Sequence, residues 1–239
     1  MDFRLLGPVE LWYRGRPVDI GHAKQRTVLA VLLVEAGRPV SAGTLIDRVW
    51  DHAPPGSALN VLYGYVTRLR RSLSQAGATV PRTAGGYLVD VDPERVDLHR
   101  FRALLCAAGT GPEPAPALVD QALGLWGGTP LADLSGQWVV RTRRVIEEER
   151  LSAIVARNEA CLRDGRSAGL VPALYEQVAA YPTDERLVGQ LMRALSRTGR
   201  TPAALDQNRS ARRRLRDELG CEPGRALREI HQAILDDAG

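Results

Sequence analysis

The chain has 239 residues and a mass of 26.1 kDa, with 44% apolar and 25% charged residues. Those proportions belong to a globular protein and exclude a disordered or fibrous one. Its longest strongly apolar stretch, Val28 to Val34, is far shorter than the ~20 residues that cross a bilayer. The opening Met1-Asp2-Phe3-Arg4 lacks the charged-then-apolar pattern of a signal peptide, so a cytoplasmic protein with no membrane partner is expected. The three cysteines, Cys106, Cys161 and Cys221, are scattered, and so are His22, His52, His99 and His231. None has the spacing of a metal or redox motif, and HExxH, P-loop and GxSxG patterns are absent. No catalytic residue, metal or cofactor is expected, and the chain does not read as an enzyme.

The basic residues are uneven. Of 32, only Lys24 is lysine, an excess of arginine that fits a GC-rich coding sequence. Residues 1–89 hold 11 basic and 6 acidic residues, whereas residues 97–239 hold 20 and 19. A pI near 9.2 with the positive excess at the N-terminal end fits a nucleic-acid-binding module there.

Residues 3–20 are short β-prone runs punctuated by Gly7-Pro8, Gly15 and Pro17, which read as two or three small antiparallel strands. A Gly- and Pro-free run from Ala23 to Ala36 then predicts a helix stopped by Gly37, with Val28, Leu29, Leu32 and Leu33 as its buried stripe. Ser41 is placed to cap a second helix, Ala42 to Trp50, whose apolar face is Leu45, Ile46, Val49 and Trp50. Pro54-Pro55-Gly56 interrupts the chain. A third helix is expected from Ser57 to about Gln75. Thr79–Thr83 and Tyr87–Val91, joined by Ala84-Gly85-Gly86, read as a hairpin. Three helices followed by a hairpin is the order of a winged helix-turn-helix.

From Asp97 the strand patterns disappear. Helices are expected at roughly 97–108, 114–125, 138–164, 168–181, 184–198, 201–219 and 223–236, with breaks at Gly109–Pro116, Gly127–Pro130, Gly165, Pro182, Gly199 and Pro223. Asp164-Gly165-Arg166 recurs as Thr198-Gly199-Arg200, 34 residues later, the period of tetratricopeptide helical hairpins. The Ala/Leu pairs Ala173-Leu174 and Ala204-Leu205 read as part of the same recurrence. The expected fold is therefore mostly α with small β elements. A winged helix-turn-helix over residues 1–96 would be followed by an all-α, tetratricopeptide-like domain over residues 97–239.

The third helix carries the chemistry. Leu59, Leu62, Val66, Leu69 and Leu73 form one stripe toward the core. At ~100° per residue the opposite face carries Asn60, Gly64, Thr67, Arg68 and Arg71, with Tyr63 and Arg70 on one flank and Tyr65 on the other. Arginine can bond O6 and N7 of guanine together, and asparagine can do the same for adenine. A solvated polar face is the competing reading of the same residues. Gly64 in mid-helix permits close approach to a phosphate or base edge. Arg82 and Thr83 open the hairpin, from which a basic wing can reach a neighbouring minor groove. The candidate DNA-binding residues are therefore Asn60, Tyr63, Gly64, Thr67, Arg68, Arg70, Arg71, Arg82 and Thr83. Two other charged runs read as solvated helix faces. In Arg141–Arg150, pairs such as Arg143 with Glu147 and Arg144 with Glu148 fall at helical spacing. Arg212-Arg213-Arg214-x-Arg216 is an alternative site for phosphate or an acidic partner.

Several blocks in order resemble the Streptomyces antibiotic regulatory proteins. They are Phe3-Arg4-Leu5-Leu6-Gly7-Pro8-Val9-Glu10, Lys24 to Ala30, Leu45-Ile46-x-x-Val49-Trp50, Tyr65 to Leu73 and Gly85-Gly86-Tyr87-Leu88. Val96-Asp97-Leu98-x-x-Phe101, Ala122 to Gly128, Leu195-x-x-x-Gly199-Arg200 and Asp217 to Pro223 are similar to that family's second half, the bacterial transcriptional activator domain. The resemblance implies an OmpR-type winged helix and a transcription activator of a secondary-metabolite gene cluster. It also implies a head-to-tail pair binding direct repeats in double-stranded DNA and recruiting RNA polymerase holoenzyme through its sigma factor. Neither the receiver domain of response regulators nor the ATPase segment of longer family members has a counterpart here. The alternative reading is an α-solenoid protein–protein adaptor whose winged helix does not read DNA. The arginines on the third helix weigh against it, because a protein-binding face would be more apolar.

Overall fold

The computed structural model describes residues 1–109 and 115–237. The expected break at Gly109–Pro116 and the 114 start of the helix after it therefore lie in part outside the described residues. The chain forms two compact units, Met1–Leu151 and Ser152–Gly239. The boundary expected between residues 96 and 97 falls inside the first.

The first unit opens with a three-stranded antiparallel sheet, β1 (Asp2–Arg4), β2 (Glu10–Tyr13) and β3 (Arg16–Val18). Phe3 faces Leu11, and both are buried, while Leu11 faces half-buried Val18, so β1 and β2 enter the core and β3 covers their edge. Helix α1 (Ala23–Val34) is buried at every position from Thr27 to Leu33, a broader surface than the expected stripe. A helix apolar all round sits inside a core, and α1 packs on α2 and α3 while its Leu33 carbonyl meets the ring of His99. Ser41 caps α2 (Ala42–Trp50) as expected, its hydroxyl accepting the Thr44 N–H at 3.0 Å.

Helix α3 (Ala58–Ser74) buries Ala58, Leu62, Val66, Leu69 and Leu73. Leu59 is 43% exposed, which corrects the expected stripe. Both Ala58 and Leu59 stand at helical spacing from Leu62; the smaller side chain lies inside, one turn before Leu62. The hairpin is interrupted where a continuous one was expected: β4 (Arg82–Thr83) and β5 (Gly86–Tyr87) flank a two-residue turn, and pairing resumes as an isolated antiparallel bridge between Thr79 and Asp90. Pro81 lacks an N–H for the ladder, and the backbone N–H and C=O of Tyr87 go instead to Val40, at 2.9 and 2.7 Å.

Residues 92–137 are stitched to this module. A short 3-10 turn, Pro93–Arg95, leads to Val96, which bridges to Phe3, and then to α4 (Asp97–Gly109) and α5 (Pro116–Leu123). The Asp97 carboxylate accepts the N–H groups of Leu5 at 2.8 Å and Leu6 at 3.0 Å, where the chain leaves β1. It also accepts the N–H of Leu98, at 2.7 Å. Burial pushes the Asp97 carboxyl up to about 6, against those three donors, which favour the carboxylate. Asp133 accepts the Val9 N–H at 2.7 Å and pairs with Arg26 at 2.6 Å. Backbone bonds from Gly127 to Leu6 and from Leu131 to Leu5 complete the seam.

Helix α6 (Gln137–Arg163) gives its first part to this unit. The charge pairs expected along it do not form. Arg143 instead donates to the carbonyls of Pro130 and Leu131 at 2.8 and 2.9 Å, and Glu149 takes Arg102 in a two-bond fork. Neither Arg143–Glu147 nor Arg144–Glu148 is an ion pair among the described residues. A carbonyl cluster at the end of a turn offers a guanidinium several acceptors at once, which an exposed carboxylate one helical turn away does not outweigh.

The second unit contains the end of α6, then α7 (Ser167–Ala180), α8 (Glu185–Arg197), α9 (Thr201–Leu219) and α10 (Arg225–Asp236). The 34-residue repeat is geometric. Gly165 and Gly199 have φ +75° and +74°. The N–H of Arg166 returns to the Cys161 carbonyl at 3.0 Å, and that of Arg200 to Leu195 at 2.9 Å. Helices α7 and α9 start at Ser167 and Thr201, also 34 apart. The Ala/Leu pairs at 173–174 and 204–205 are not part of this repeat, being 31 apart; the residue equivalent to buried Ala204 is buried Leu170. Asp184 caps α8 by accepting the N–H groups of Arg186 and Leu187. Inside the unit, fully buried Asn158 donates to Gln177 at 2.6 Å and Gln190 at 3.1 Å.

Candidate nucleic-acid interface

Helices α2 and α3 are joined by Asp51–Ser57, in which Asp51 takes a φ of +51° and the two prolines forbid a continuous helix. The Val49 carbonyl at the end of α2 accepts the ammonium of Lys24, so the one lysine is committed to holding α1 and α2 together. Residues 53–89 contain no Asp or Glu and four arginines, Arg68, Arg70, Arg71 and Arg82. None of these four exposed arginines is in an ion pair among the described residues, and arginines without a carboxylate partner attract polyanions.

The candidate residues divide by what already holds them. Asn60, Thr67, Arg68, Arg70, Arg71, Arg82 and Thr83 are exposed, while Tyr63 and Gly64 are half-buried. Arg71 and Asn60 make no side-chain hydrogen bond among the described residues. Thr67 turns its hydroxyl back to the Tyr63 carbonyl at 2.8 Å. Arg70 is a strut to the hairpin: its Nε donates to the Val80 carbonyl at 2.8 Å, and its guanidinium lies 5.9 Å from the Tyr87 ring centre. Arg82 places its guanidinium 6.0 Å from the Tyr63 ring centre, which brings the wing beside α3. Thr83 reaches the Gly86 carbonyl at 3.4 Å across the turn.

The wing is anchored by a glycine. A Cβ on Gly86, whose φ is +130°, would lie 2.0 Å from the Val40 carbonyl oxygen. Only glycine lets β5 lie this close to the strand-like link before α2.

Three further features were not legible in the sequence pattern. Gln25 is 3% exposed and accepts Arg68 Nε through Oε1 at 2.9 Å. Tyr65 stacks on Trp50 at 5.8 Å and meets the edge of His22 at 4.9 Å. The Arg68 guanidinium lies 5.1 Å from the Tyr65 ring centre. Gln25 lies 43 positions from Arg68, and Trp50 and His22 lie 15 and 43 positions from Tyr65, so no local periodicity reports those contacts; only the Arg68–Tyr65 contact, three positions apart on α3, has helical spacing.

Two family models match the chain. "Transcriptional regulatory protein, C terminal" covers residues 15–86, and "Bacterial transcriptional activator domain" covers residues 96–235. The chain is 38% identical to Regulatory protein DnrI of Streptomyces peucetius, over 98% of this chain and 92% of that one. It is 36% identical to Transcriptional regulator RedD of Streptomyces coelicolor, over 98% and 70%. Among solved structures it is similar to Mycobacterium tuberculosis EmbR, determined with a low-affinity phosphopeptide. That match has a TM-score of 0.92 at 33% identity and covers 99% of this chain and 65% of the other. No helix among the described residues is long and apolar enough to cross a membrane. The winged helix with its arginine face, the helical repeat later in the chain and the near full-length match to regulatory proteins agree, and the chain belongs to the Streptomyces antibiotic regulatory protein family of transcription activators.

Proposed function

We propose that the protein is a cytoplasmic, sequence-specific activator that reads double-stranded DNA with α3 and steadies it with the β4–β5 wing. The observation that carries this is the exposed, acid-free face of Asn60, Arg68 and Arg71 with Arg82 beside it. Asn60 and the two arginines suit base edges in a major groove. Arg82 suits phosphate or a narrow minor groove. By family membership, two copies bind head to tail on direct repeats near a promoter, recruit RNA polymerase holoenzyme through its sigma factor and switch on a secondary-metabolite gene cluster. In this reading residues 1–96 supply the DNA contacts, and residues 97–239 supply the contacts to the second copy and to polymerase.

The test is selection of bound duplexes from a random DNA library by the full chain, followed by titration at several salt concentrations. The expected result is an enriched repeated motif, with affinity falling steeply as salt rises because arginine–phosphate contacts release counterions. Footprinting of the winning duplex should show protected half-sites separated by about one helical repeat, ~10–10.5 bp, or a multiple of it. Transcription reconstituted with polymerase holoenzyme should rise when that motif lies upstream of the promoter. A library that yields no enrichment, with binding indifferent to salt, would leave the adaptor reading in place.

A further inference from the structure

Arginines that read guanine do so with two parallel N–H donors in the plane of the guanidinium. A free arginine must be ordered from many rotamers before it can do that, and the ordering reduces affinity. Arg68 is already ordered. Its Nε donates to Gln25 Oε1 at 2.9 Å, and its guanidinium lies beside the Tyr65 ring. Gln25 in turn is pinned, its Nε2 donating to the Ile20 carbonyl at 3.1 Å. The space for Gln25 is made by Gly21, whose φ is +85° and where a Cβ would fall 2.6 Å from Gln25 Nε2. With Nε occupied, the donors left to Arg68 are the two Nη groups, neither of which is hydrogen-bonded among the described residues. They lie over Gly64, 3.7 and 3.9 Å from where its Cβ would be, on the exposed face of α3.

We infer that Gln25, a buried residue of α1, is a positioning residue for base reading: it locks the Arg68 guanidinium so that its Nη pair faces the DNA. This rests on the proposal that α3 reads DNA. Gln25 does not touch the nucleic acid. It fixes the orientation of the side chain that does, and it also sets which guanidinium edge is presented.

The experiment uses the full chain and the duplex enriched from the random library, with binding measured by fluorescence anisotropy on that duplex and on all its single-base-pair variants. Arg68→Ala is expected to weaken binding about 5- to 100-fold and to flatten preference at one base pair. Gln25→Met keeps the volume and removes the anchor. It is expected to flatten the same base pair and to add little when combined with Arg68→Ala, since both act through one contact. Gln25→Glu restores an acceptor for Arg68 Nε and is expected to retain the preference, although it places a carboxylate beside the Ile20 carbonyl. If Gln25→Met does not fold, Gln25→Asn, an amide one methylene too short to reach Arg68, must relax the same base pair.

A purely structural glutamine would give a different pattern. Gln25→Met would then lower affinity equally on every duplex, its effect would add to that of Arg68→Ala, and Gln25→Glu would be the worst variant; that pattern overturns the inference. An Arg68→Ala protein with every base preference intact also overturns it, while leaving DNA reading by other residues standing. Failure to enrich any duplex removes both.

Discussion

The two compact units are held together in opposite ways. In Met1–Leu151 the critical bonds join residues far apart in the chain: Asp97 to Leu5 and Leu6, Asp133 to Val9 and Arg26, Gln137 to Asp51. In Ser152–Gly239 the same turn is used twice, 34 residues apart, with Gly165 and Gly199 in one conformation, and α8 packs against α7, α9 and α10. The first arrangement is all-or-none, because no stretch of it is complete without a distant one. The second is close to one-dimensional, and its stability is shared among neighbouring helices. Where the homology boundary falls, near residue 96, is therefore not where the first unit ends.

The largest expected effect follows from that. A chain ending at residue 96 lacks Asp97 and Asp133, and with them the partners of the Leu5, Leu6 and Val9 N–H groups. It also loses Phe101, one of the largest fully buried side chains. It should show no cooperative melt by circular dichroism, whereas a chain ending at residue 151 should melt in one transition. A sharp, reversible melt for residues 1–96 would break the comparison at its root.

A single atom group in the seam comes next. Asp97→Ala leaves the Leu5 and Leu6 donors without acceptors in a part-buried site, at about 1–3 kcal/mol for each unmade bond. A drop of about 3–5 kcal/mol in urea unfolding is expected. The pH dependence has a definite sign. The folded carboxyl is raised to about 6 from the ordinary 3.8, so ionising it in the folded protein is penalised. The associated stability is fully present below pH ~4 and is lost as pH rises through 6. Relative to Asp97→Asn, which cannot titrate, the wild type should gain about 1 kcal/mol between pH 7 and pH 5. A gain in the opposite direction would mean that the three N–H donors outweigh burial.

This contrast also explains what the sequence could and could not say. Period 34, the Ser41 cap and the polar face of α3 are local patterns, and a chain displays them along its length. The Leu59 placement failed because Ala58 and Leu59 both satisfy helical spacing, and which one enters the core depends on how α3 meets its neighbours. Asp97, Asp133, Gln25 and Arg143 are unremarkable in sequence, since their partners lie 92, 124, 43 and 13 positions away. For Arg143 the carbonyls of a turn competed with a carboxylate at the expected spacing and prevailed. Among the candidate DNA-binding residues, Arg70 shows the same limit: its exposed position was legible, but its bond to the Val80 carbonyl was not.

In the second unit single changes should be smaller and alike. Gly165→Ala and Gly199→Ala each place a Cβ at a φ near +75°, which costs about 1–2 kcal/mol for an L-residue in the left-handed region. Open space surrounds both positions, so no clash is added and the two losses should agree within about 0.5 kcal/mol. Thermal melts of the two variants check this. A several-fold difference between them would mean that the repeat is not energetically regular.

The smallest effect is expected where charges are most crowded. Glu222 receives Arg212 at 2.7 Å and Arg216 at 2.6 Å, and its carboxyl is held below the ordinary range, first by the Arg216 hydrogen bond and then by that of Arg212. All three side chains are more than half exposed. Water and salt screen such pairs, and ordering two long side chains offsets much of the attraction. A lowered carboxyl contributes stability above its unfolded value and loses it as pH falls, but screening leaves little here to lose. Glu222→Gln should therefore melt within about a degree of wild type at neutral pH and at low salt, because exposed pairs of this kind contribute close to nothing measurable. Its value lies in what it uncovers: Arg212 and Arg216 join Arg213 and Arg214 as unneutralised charge on α9. A fall of several degrees would show that the Gly220–Gly224 turn depends on this clasp in addition to the bond from the Gly224 N–H to Glu185 at 2.7 Å.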